Sequence, residues 1–126
     1  MIVDSSALVA IVRDEPEAEA FLTIMRSAAT LSAGAPTALE TSMVLGADQR
    51  DRFVGFLASQ MIDIVPFAAQ HLVAAQVAFA AYGKGGGSRA QLNFGDCMSY
   101  ALAKVTGEPL LFTGDDFTHT DITPAL

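Results

Sequence analysis

Segments of strand length alternate with longer amphipathic segments along the whole chain. In the longer segments, apolar residues recur at three- and four-residue spacing, which is typical of helices. Strands that alternate with helices indicate a mainly parallel sheet with helices on both faces. The pattern therefore predicts a three-layer α/β/α fold with a central sheet of four to five strands, at Met1 to Val3, Thr30 to Ser32, Met61 to Phe67, Leu110 to Thr113 and around Ile122.

Prolines, glycines and capping residues mark the boundaries of the predicted helices. Ser5 or Ser6 is the predicted cap of the first helix, Asn93 caps the last one, and Gly107 ends it. The helix from Ala68 to Tyr82 is apolar on most sides, so we expect it to be buried or to form an interface. The six predicted helices run from Ser6 to Val12, from Pro16 over the apolar face Phe21, Leu22, Ile24 and Met25, from Pro36 to about Ala47, from about Asp48 to Gln60, from Ala68 to Tyr82, and from Asn93 to about Thr106.

Length and composition fit a single folded domain spanning residues 1–126. Of the 126 residues, 52% are hydrophobic, which is enough to bury a core and argues against disorder. No run approaches the roughly 18 apolar residues of a membrane span, and no basic segment precedes the first apolar run. The single cysteine, Cys97, excludes an internal disulfide. We therefore expect a cytoplasmic protein that does not contact a membrane.

The formal net charge of −7 is unusual for a protein that acts on nucleic acid. Two interpretations fit this charge: the acidic residues gather in a metal site, or an acidic surface binds a basic protein partner. Asp14, Glu15, Glu17 and Glu19 form an acidic run at a predicted helix start. For those four residues, a solvated helix end favoured by the helix dipole is the simpler explanation.

Three carboxylates stand where strands of the predicted sheet end. Asp4 directly follows the first strand, and Asp115 and Asp116 follow the strand that ends at Thr113. In open α/β sheets, ligands bind beyond the carboxyl ends of the strands. Taken singly, each of these residues is explained as well by helix capping or by turn formation.

Two further carboxylates lie near the starts of predicted helices. Glu40 is followed by Met43, Val44 and Ala47 on the same helix face, which predicts that its side chain points into the protein. Asp96 lies three residues after the predicted cap of the last helix, where it either completes the cap or faces a ligand. Strand ends and helix starts share one side of a doubly wound sheet, so we expect these acids to converge in one pocket.

Converging acids need either protons or a cation. Two unit charges about 4 Å apart repel by about 4 kcal/mol at an effective dielectric constant near 20. Oxygen ligands favour Mg²⁺ or Mn²⁺ over zinc. A site of this kind can activate a water and neutralise a phosphodiester, so the chemistry indicated is metal-assisted phosphodiester hydrolysis.

Several motifs, taken together and in order, resemble one known family. Over nearly its full length the chain is similar to the PIN-domain ribonucleases, and within them to the VapC toxins of bacterial toxin–antitoxin pairs. The resemblance implies a PIN-like fold and a metal-dependent endoribonuclease, the toxin of a VapBC-type system, that cleaves RNA with a metal-activated water. The motifs are Ile2 to Ile11, Leu31 to Gly34 followed by Glu40, Tyr82 to Gly85, Leu92 to Cys97 with Ser99 to Lys104, Gly107 to Phe112 leading into Gly114 to Phe117, and Thr120 to Ile122.

The resemblance also implies a set of metal ligands. Asp115 is preferred over its neighbour because it comes first after the strand. Ser5 stands where the family often has threonine, and its hydroxyl is expected to support the ligands, together with Ser6 and Asn93. The implied ligands of Mg²⁺ or Mn²⁺ are Asp4, Glu40, Asp96 and one of the pair Asp115 and Asp116.

The partners implied by the resemblance are an RNA substrate, a second copy of the chain in a homodimer, and a cognate VapB-like antitoxin. The antitoxin would form a hetero-oligomer with the toxin and block its site. Antitoxins of this kind often insert an arginine among the acids, and charge-assisted pairing of guanidinium with carboxylate explains why.

Three basic residues are candidates for contacts with RNA phosphates. Lys84 and Arg89 lie in a glycine-rich loop, and Arg13 lies near the end of the first helix. Simple solvent exposure explains the two loop residues equally well. The alternative for Arg13 is an ion pair with Asp14 or Glu17.

Two functions other than ribonuclease activity are possible for such a set of acids. A receiver or phosphatase-like domain also gathers acids and Mg²⁺ on a parallel sheet. A receiver would need an aspartate that ends a central strand and a lysine after a later strand, but the third strand ends in Ile64, Val65 and Pro66. A phosphatase of the aspartyl-phosphate type would need a second aspartate two places after Asp4, where Ser6 stands. The other alternative is a catalytically weak PIN-fold module that only binds its partner, and the complete set of acids argues against it.

Overall fold

Four parallel strands form the central sheet in a computed structural model that describes residues 1–126. The strands are β1 (Ile2–Val3), β2 (Leu31–Gly34), β3 (Ile62–Val65) and β4 (Leu110–Leu111), in the order β3-β2-β1-β4. β1 is central and pairs with β2 on one side and β4 on the other. The prediction of a parallel α/β sheet is confirmed, and Asp4 follows a strand from the middle of that sheet.

Six α-helices cover the two faces of the sheet. Ile2 packs in the apolar cluster that includes the last two helices, whereas Val3 packs in the cluster of the first two, because successive strand residues point to opposite faces. No helix is both long and apolar enough to cross a membrane. The helices are α1 (Ser5–Val12), α2 (Ala18–Ser27), α3 (Ala35–Leu45), α4 (Arg50–Ser59), α5 (Ala69–Tyr82) and α6 (Phe94–Thr106), with a short 3₁₀ turn at Ala47–Gln49 before α4.

The predicted start of one helix and one predicted strand are wrong. α2 begins at Ala18, because Asp14 adopts a positive φ of 58° and the chain turns through Pro16 before the helix starts. No fifth strand forms around Ile122. The chain there makes an isolated bridge between Leu110 and Pro124, and a proline has no backbone N–H with which to extend a ladder.

Helix α5 buries only one narrow face. Its buried residues include Ala75 and Ala78, which allow close packing on α6, whereas Val73 and Val77 are 60% and 61% exposed. Of the two predicted alternatives, burial or an interface, burial therefore applies to only a small part of the surface of this helix. An apolar face left open to solvent is typical of an interface.

The loop between α5 and α6 is closed at its base. Lys84 N donates to Leu92 O at 2.9 Å, and Leu92 N donates to Tyr82 O at 2.8 Å. The turn into the loop needs a glycine, since a Cβ at Gly83 would overlap the backbone oxygen and ring of Phe79. This closure fixes where the loop lies relative to the first turn of α6.

Alanine substitutions at Gly83 and Gly55 are expected to change stability in opposite directions. At Gly83 the added methyl has no room, so unfolding should become easier by roughly 1–3 kcal/mol. At Gly55, inside α4, nothing lies within 4 Å of the new Cβ, and the better helix former should add about 0.5–1 kcal/mol. Chemical denaturation of both variants measures the two effects, and a shift of the same sign in both would contradict the packing described for the loop base.

Candidate metal centre

Asp4 is buried at the end of β1 and accepts three hydrogen bonds. One oxygen, Oδ2, accepts from Ser6 N at 2.9 Å and from Ser6 Oγ at 2.6 Å. The other, Oδ1, accepts from Ser99 Oγ at 2.5 Å. Asp4 itself is therefore the N-cap of α1, and the prediction that Ser5 or Ser6 caps this helix is wrong. These donors stabilise the charge of a carboxylate that is only 2% exposed.

Two buried hydroxyls that sequence reasoning missed stand behind Asp4. Ser99 Oγ lies 3.1 Å from Thr37 Oγ1, and both residues are almost completely buried. A signal for each was present in the sequence. Ser99 lies three residues after Asp96 and Thr37 lies three residues before Glu40, so each shares a helix face with a candidate acid.

Glu40 reaches the same region from α3. Its Oε1 accepts a hydrogen bond from Ser5 Oγ, so Ser5 contacts one of the candidate ligands. Its carboxylate lies directly against Gly95 in the first turn of α6, where a Cβ would overlap Oε2. Any other residue at position 95 would force the Glu40 side chain to move.

The helix face that carries Glu40 is not buried, contrary to the prediction from its apolar residues. Met43 and Val44, which share its helix face, are 74% and 50% exposed. They line an open groove of about 440 Å³ between α3 and α6, together with the strongly exposed Leu39 and Phe94. Glu40 is half-buried at the edge of this groove, so the acidic site opens directly onto an apolar surface.

Asp96 lies in the first turn of α6, where a reciprocal cap holds it. Asn93 N donates to Asp96 Oδ2 at 2.8 Å, and Asp96 N donates to Asn93 Oδ1 at 2.9 Å. The predicted cap is confirmed. The capping bond engages one carboxylate oxygen and leaves Oδ1 without a protein partner among the hydrogen bonds of the structure.

The carboxylates act on one another through space. The pKa of Asp96 is raised to about 6, first by burial and then by the negative charges of Asp116, Asp4 and Glu40, against the lowering effect of the Asn93 N–H. Asp115, preferred over Asp116 in the sequence analysis, does not contribute to this shift. Of this pair, Asp116 is therefore the acid whose charge acts on Asp96.

The donor set fits a hard divalent cation, although the acids do not form a closed cage. No three acidic, histidine or cysteine side chains are placed to hold a metal ion together. Mg²⁺ does not require such a cage, because it retains several waters and usually binds one or two carboxylates. Oxygen donors alone, at an acid whose pKa is raised by three neighbouring charges, match that mode of binding.

The candidate RNA contacts are all exposed. Lys84 and Arg89 lie in the loop before α6 and form no ion pair. Arg13 donates to Val44 O at 2.9 Å at the end of α3. The ion pair with Asp14 or Glu17, which was the alternative to an RNA contact, does not form. The Arg13 guanidinium therefore joins α1 to α3. The side chains of Lys84 and Arg89 form no hydrogen bond or ion pair within the protein.

The chain matches one protein family along almost its whole length. The sequence profile of the PIN domain matches residues 1–122. The chain is similar to ribonuclease VapC42 of Mycobacterium tuberculosis, with 46% identity over 99% of this chain and 98% of the relative. It is also similar to VapC ribonuclease Mb0640 of Mycobacterium bovis, with 42% identity over 97% of this chain and 95% of the relative.

A solved structure shares the fold. The crystal structure of Mycobacterium tuberculosis VapC20, described as a sarcin–ricin loop cleaving toxin, superposes with a TM-score of 0.74 over 98% of each chain. At 16% identity this likeness establishes the architecture, including the three layers and the parallel sheet.

Replacing Asp96 with asparagine is expected to raise the melting temperature of the metal-free protein at pH 8 by about 2–5 °C. The folded state binds the Asp96 proton more tightly than the unfolded chain, since its pKa is about 6 instead of 3.8. The stability linked to this proton is present below pH 4 and is lost as the pH rises through 6. Asparagine removes the charge and retains an oxygen for the Asn93 N–H.

Thermal unfolding in EDTA at pH 5 and pH 8 tests this expectation. The advantage of the variant should shrink at pH 5, where the wild type is largely protonated at this position. Asp63→Asn, which changes an exposed carboxylate on β3, is the matched control and should have little effect at either pH. A lower melting temperature for Asp96→Asn at pH 8 would show that the charge of Asp96 is not under repulsion.

Proposed function

The chain belongs to the PIN-domain family and, within it, to the VapC ribonucleases, and from this premise we propose that it is the toxin of a VapBC-type toxin–antitoxin system. Its activity is metal-dependent endonucleolytic hydrolysis of RNA. The observation that supports the proposal most strongly is the position of Asp96, whose pKa is raised to about 6 by burial and then by the charges of Asp116, Asp4 and Glu40 from three other segments. We further propose that residues 1–126 act as one PIN domain in the cytoplasm.

We propose that the metal ligands are Asp4, Glu40, Asp96 and Asp116. Bound Mg²⁺ or Mn²⁺ would supply an activated water at neutral pH and neutralise charge on the phosphodiester. Asp116 is chosen over Asp115 because its charge acts on Asp96. The remaining residues orient this set: Ser6 holds one oxygen of Asp4, Ser5 holds Glu40, and Asn93 holds Asp96.

Lys84 and Arg89 are proposed to bind RNA phosphates. They are exposed and unpaired, and the closed base of their loop places them just before the cap of α6. In a chain with a net charge of −7, local positive charge beside the acids is needed to attract a polyanion. Arg13 is a weaker candidate, because one of its donors already binds Val44 O.

Two exposed apolar surfaces support the proposed protein partners. The groove between α3 and α6 ends at Glu40, so it suits an antitoxin segment in which large apolar residues flank an arginine that pairs with the acids. The open face of α5 suits a second copy of the chain in a homodimer. A toxin–antitoxin hetero-oligomer would then cover both surfaces.

The family assignment excludes a receiver or phosphatase-like domain. The position two residues after Asp4 is occupied by Ser6, whose hydroxyl donates to Asp4 Oδ2 and does not supply a second carboxylate. The other alternative, a catalytically weak interaction module, differs from a ribonuclease in that it would not cleave RNA.

Purified protein is expected to cleave defined RNAs with Mg²⁺ or Mn²⁺ and to be inactive in EDTA. Asp4→Asn and Asp96→Asn should each lower the cleavage rate by at least about 100-fold, because each removes an acid from the shared site. Gel assays on end-labelled RNA measure this directly. An interaction module would instead bind RNA or its partner and cleave nothing under any of these conditions.

Asp115 and Asp116 provide a matched pair within the same assay. Asp116→Asn should lose most of the activity, whereas Asp115→Asn should retain it within about threefold, since only Asp116 acts on Asp96. Equal cleavage by the wild type, Asp4→Asn and Asp96→Asn would indicate a contaminating nuclease and would overturn the proposed activity.

A further inference from the structure

We propose that Ser99, backed by Thr37, is a positioning residue that allows Asp4 to bind a divalent cation through one oxygen only, Oδ1. The inference rests on the proposed function, because it concerns the same metal site. It adds a specific consequence: the site should favour cations that accept single-oxygen carboxylate ligands, Mg²⁺ and Mn²⁺, over Ca²⁺.

The hydrogen bonds of Asp4 leave only one lone-pair direction of its carboxylate free. A carboxylate oxygen has about two lone-pair directions. At Oδ2 both are taken, by Ser6 N at 2.9 Å and Ser6 Oγ at 2.6 Å. At Oδ1 one is taken by Ser99 Oγ at 2.5 Å, which leaves a single direction for a cation. Bidentate binding by Asp4 would require breaking a hydrogen bond to Ser6.

The direction of the hydrogen bonds is also determined. The Ser99 hydroxyl has one proton and donates it to Asp4 Oδ1. The 3.1 Å contact between Ser99 and Thr37 is then donated by Thr37 Oγ1 to Ser99 Oγ. Each hydroxyl in such a chain polarises the next, which strengthens the bond that reaches Asp4.

The surroundings prevent this chain from rearranging. Ser99 is 1% exposed and Thr37 is 2% exposed, so water cannot replace either donor. Thr37 lies in the first turn of α3, and the helix backbone holds its position. The side chain of Asp4 is therefore held from both ends, by α1 at Oδ2 and by α6 at Oδ1.

Cation preference follows from this restriction. Ca²⁺ takes six to eight oxygen ligands and commonly binds carboxylates through both oxygens, whereas Mg²⁺ is octahedral and uses single oxygens and waters. An Asp4 limited to Oδ1 suits the smaller ions. Removing the Ser99 hydroxyl leaves the carboxylate held only at Oδ2, by Ser6, so that Oδ1 can move. This loss of position should weaken binding of Mg²⁺ more than binding of Ca²⁺.

Isothermal titration calorimetry with Mg²⁺, Mn²⁺ or Ca²⁺ alone, on the full chain without RNA, tests the proposal. Ser99→Ala should weaken Mg²⁺ binding by about tenfold and lower the ratio of Mg²⁺ to Ca²⁺ affinity. Ser99→Thr keeps the hydroxyl and should restore the wild-type ratio. Thr37→Val removes only the second hydroxyl and should change the ratio in the same direction by a smaller amount.

Thr41→Val is the matched control, because it removes an equally buried hydroxyl that does not touch Asp4 or Ser99. It should leave the ratio of affinities unchanged. An unchanged ratio in Ser99→Ala, or a shift in Thr41→Val as large as in Ser99→Ala, would overturn the proposal. If Ser99→Ala does not fold, an unchanged ratio in Thr37→Val overturns it equally.

The result also separates this inference from the proposed function. A wild type that binds Mg²⁺ with the expected variant effects but cleaves no RNA would overturn the ribonuclease activity and leave the role of Ser99 intact. A wild type that cleaves RNA with Mg²⁺, while Ser99→Ala keeps the wild-type ratio, would overturn the role of Ser99 alone.

Discussion

The candidate site depends on a fold that holds several carboxylates near one another against their mutual repulsion. Asp4, Glu40, Asp96 and Asp116 come from four different segments, and the pKa of Asp96 is raised by burial and then by the charges of the other three. Local donors hold three of the acids in place without a cation: Ser6 and Ser99 for Asp4, Ser5 for Glu40, and the Asn93 N–H for Asp96. Keeping these like charges close together therefore lowers the stability of the folded state.

The topology explains how these segments meet. β1 lies between β2 and β4, so Asp4 emerges beside the segment that leads from β4 to Asp116. β2 leads directly into α3, which carries Glu40, and the first turn of α6 packs against that glutamate through Gly95. Parallel strands thus deliver the acids to one edge of the sheet, and a single glycine sets how closely two of them approach.

Local signals in the sequence were sufficient for the architecture and for parts of the site. The Asn93 and Asp96 cap follows from a three-residue spacing, and the alternation of strands and helices predicts the parallel sheet. Contacts between distant residues were not predictable in the same way. Ser99 meets Asp4 across 95 positions of the chain, and the exposure of Met43 depends on where α6 packs. A rule based on strand ends likewise could not separate Asp115 from Asp116, because both residues follow the same strand and only the charge of Asp116 acts on Asp96.

The most direct test of the account is the position of a bound metal. Crystals grown with Mn²⁺ and measured at the manganese absorption edge would locate the ion by its anomalous signal. We predict a peak at Asp4 Oδ1 that is shared with at least one of Glu40, Asp96 and Asp116. Peaks at other carboxylates only, with Asp4 still bound to Ser6 and Ser99 and free of metal, would contradict it.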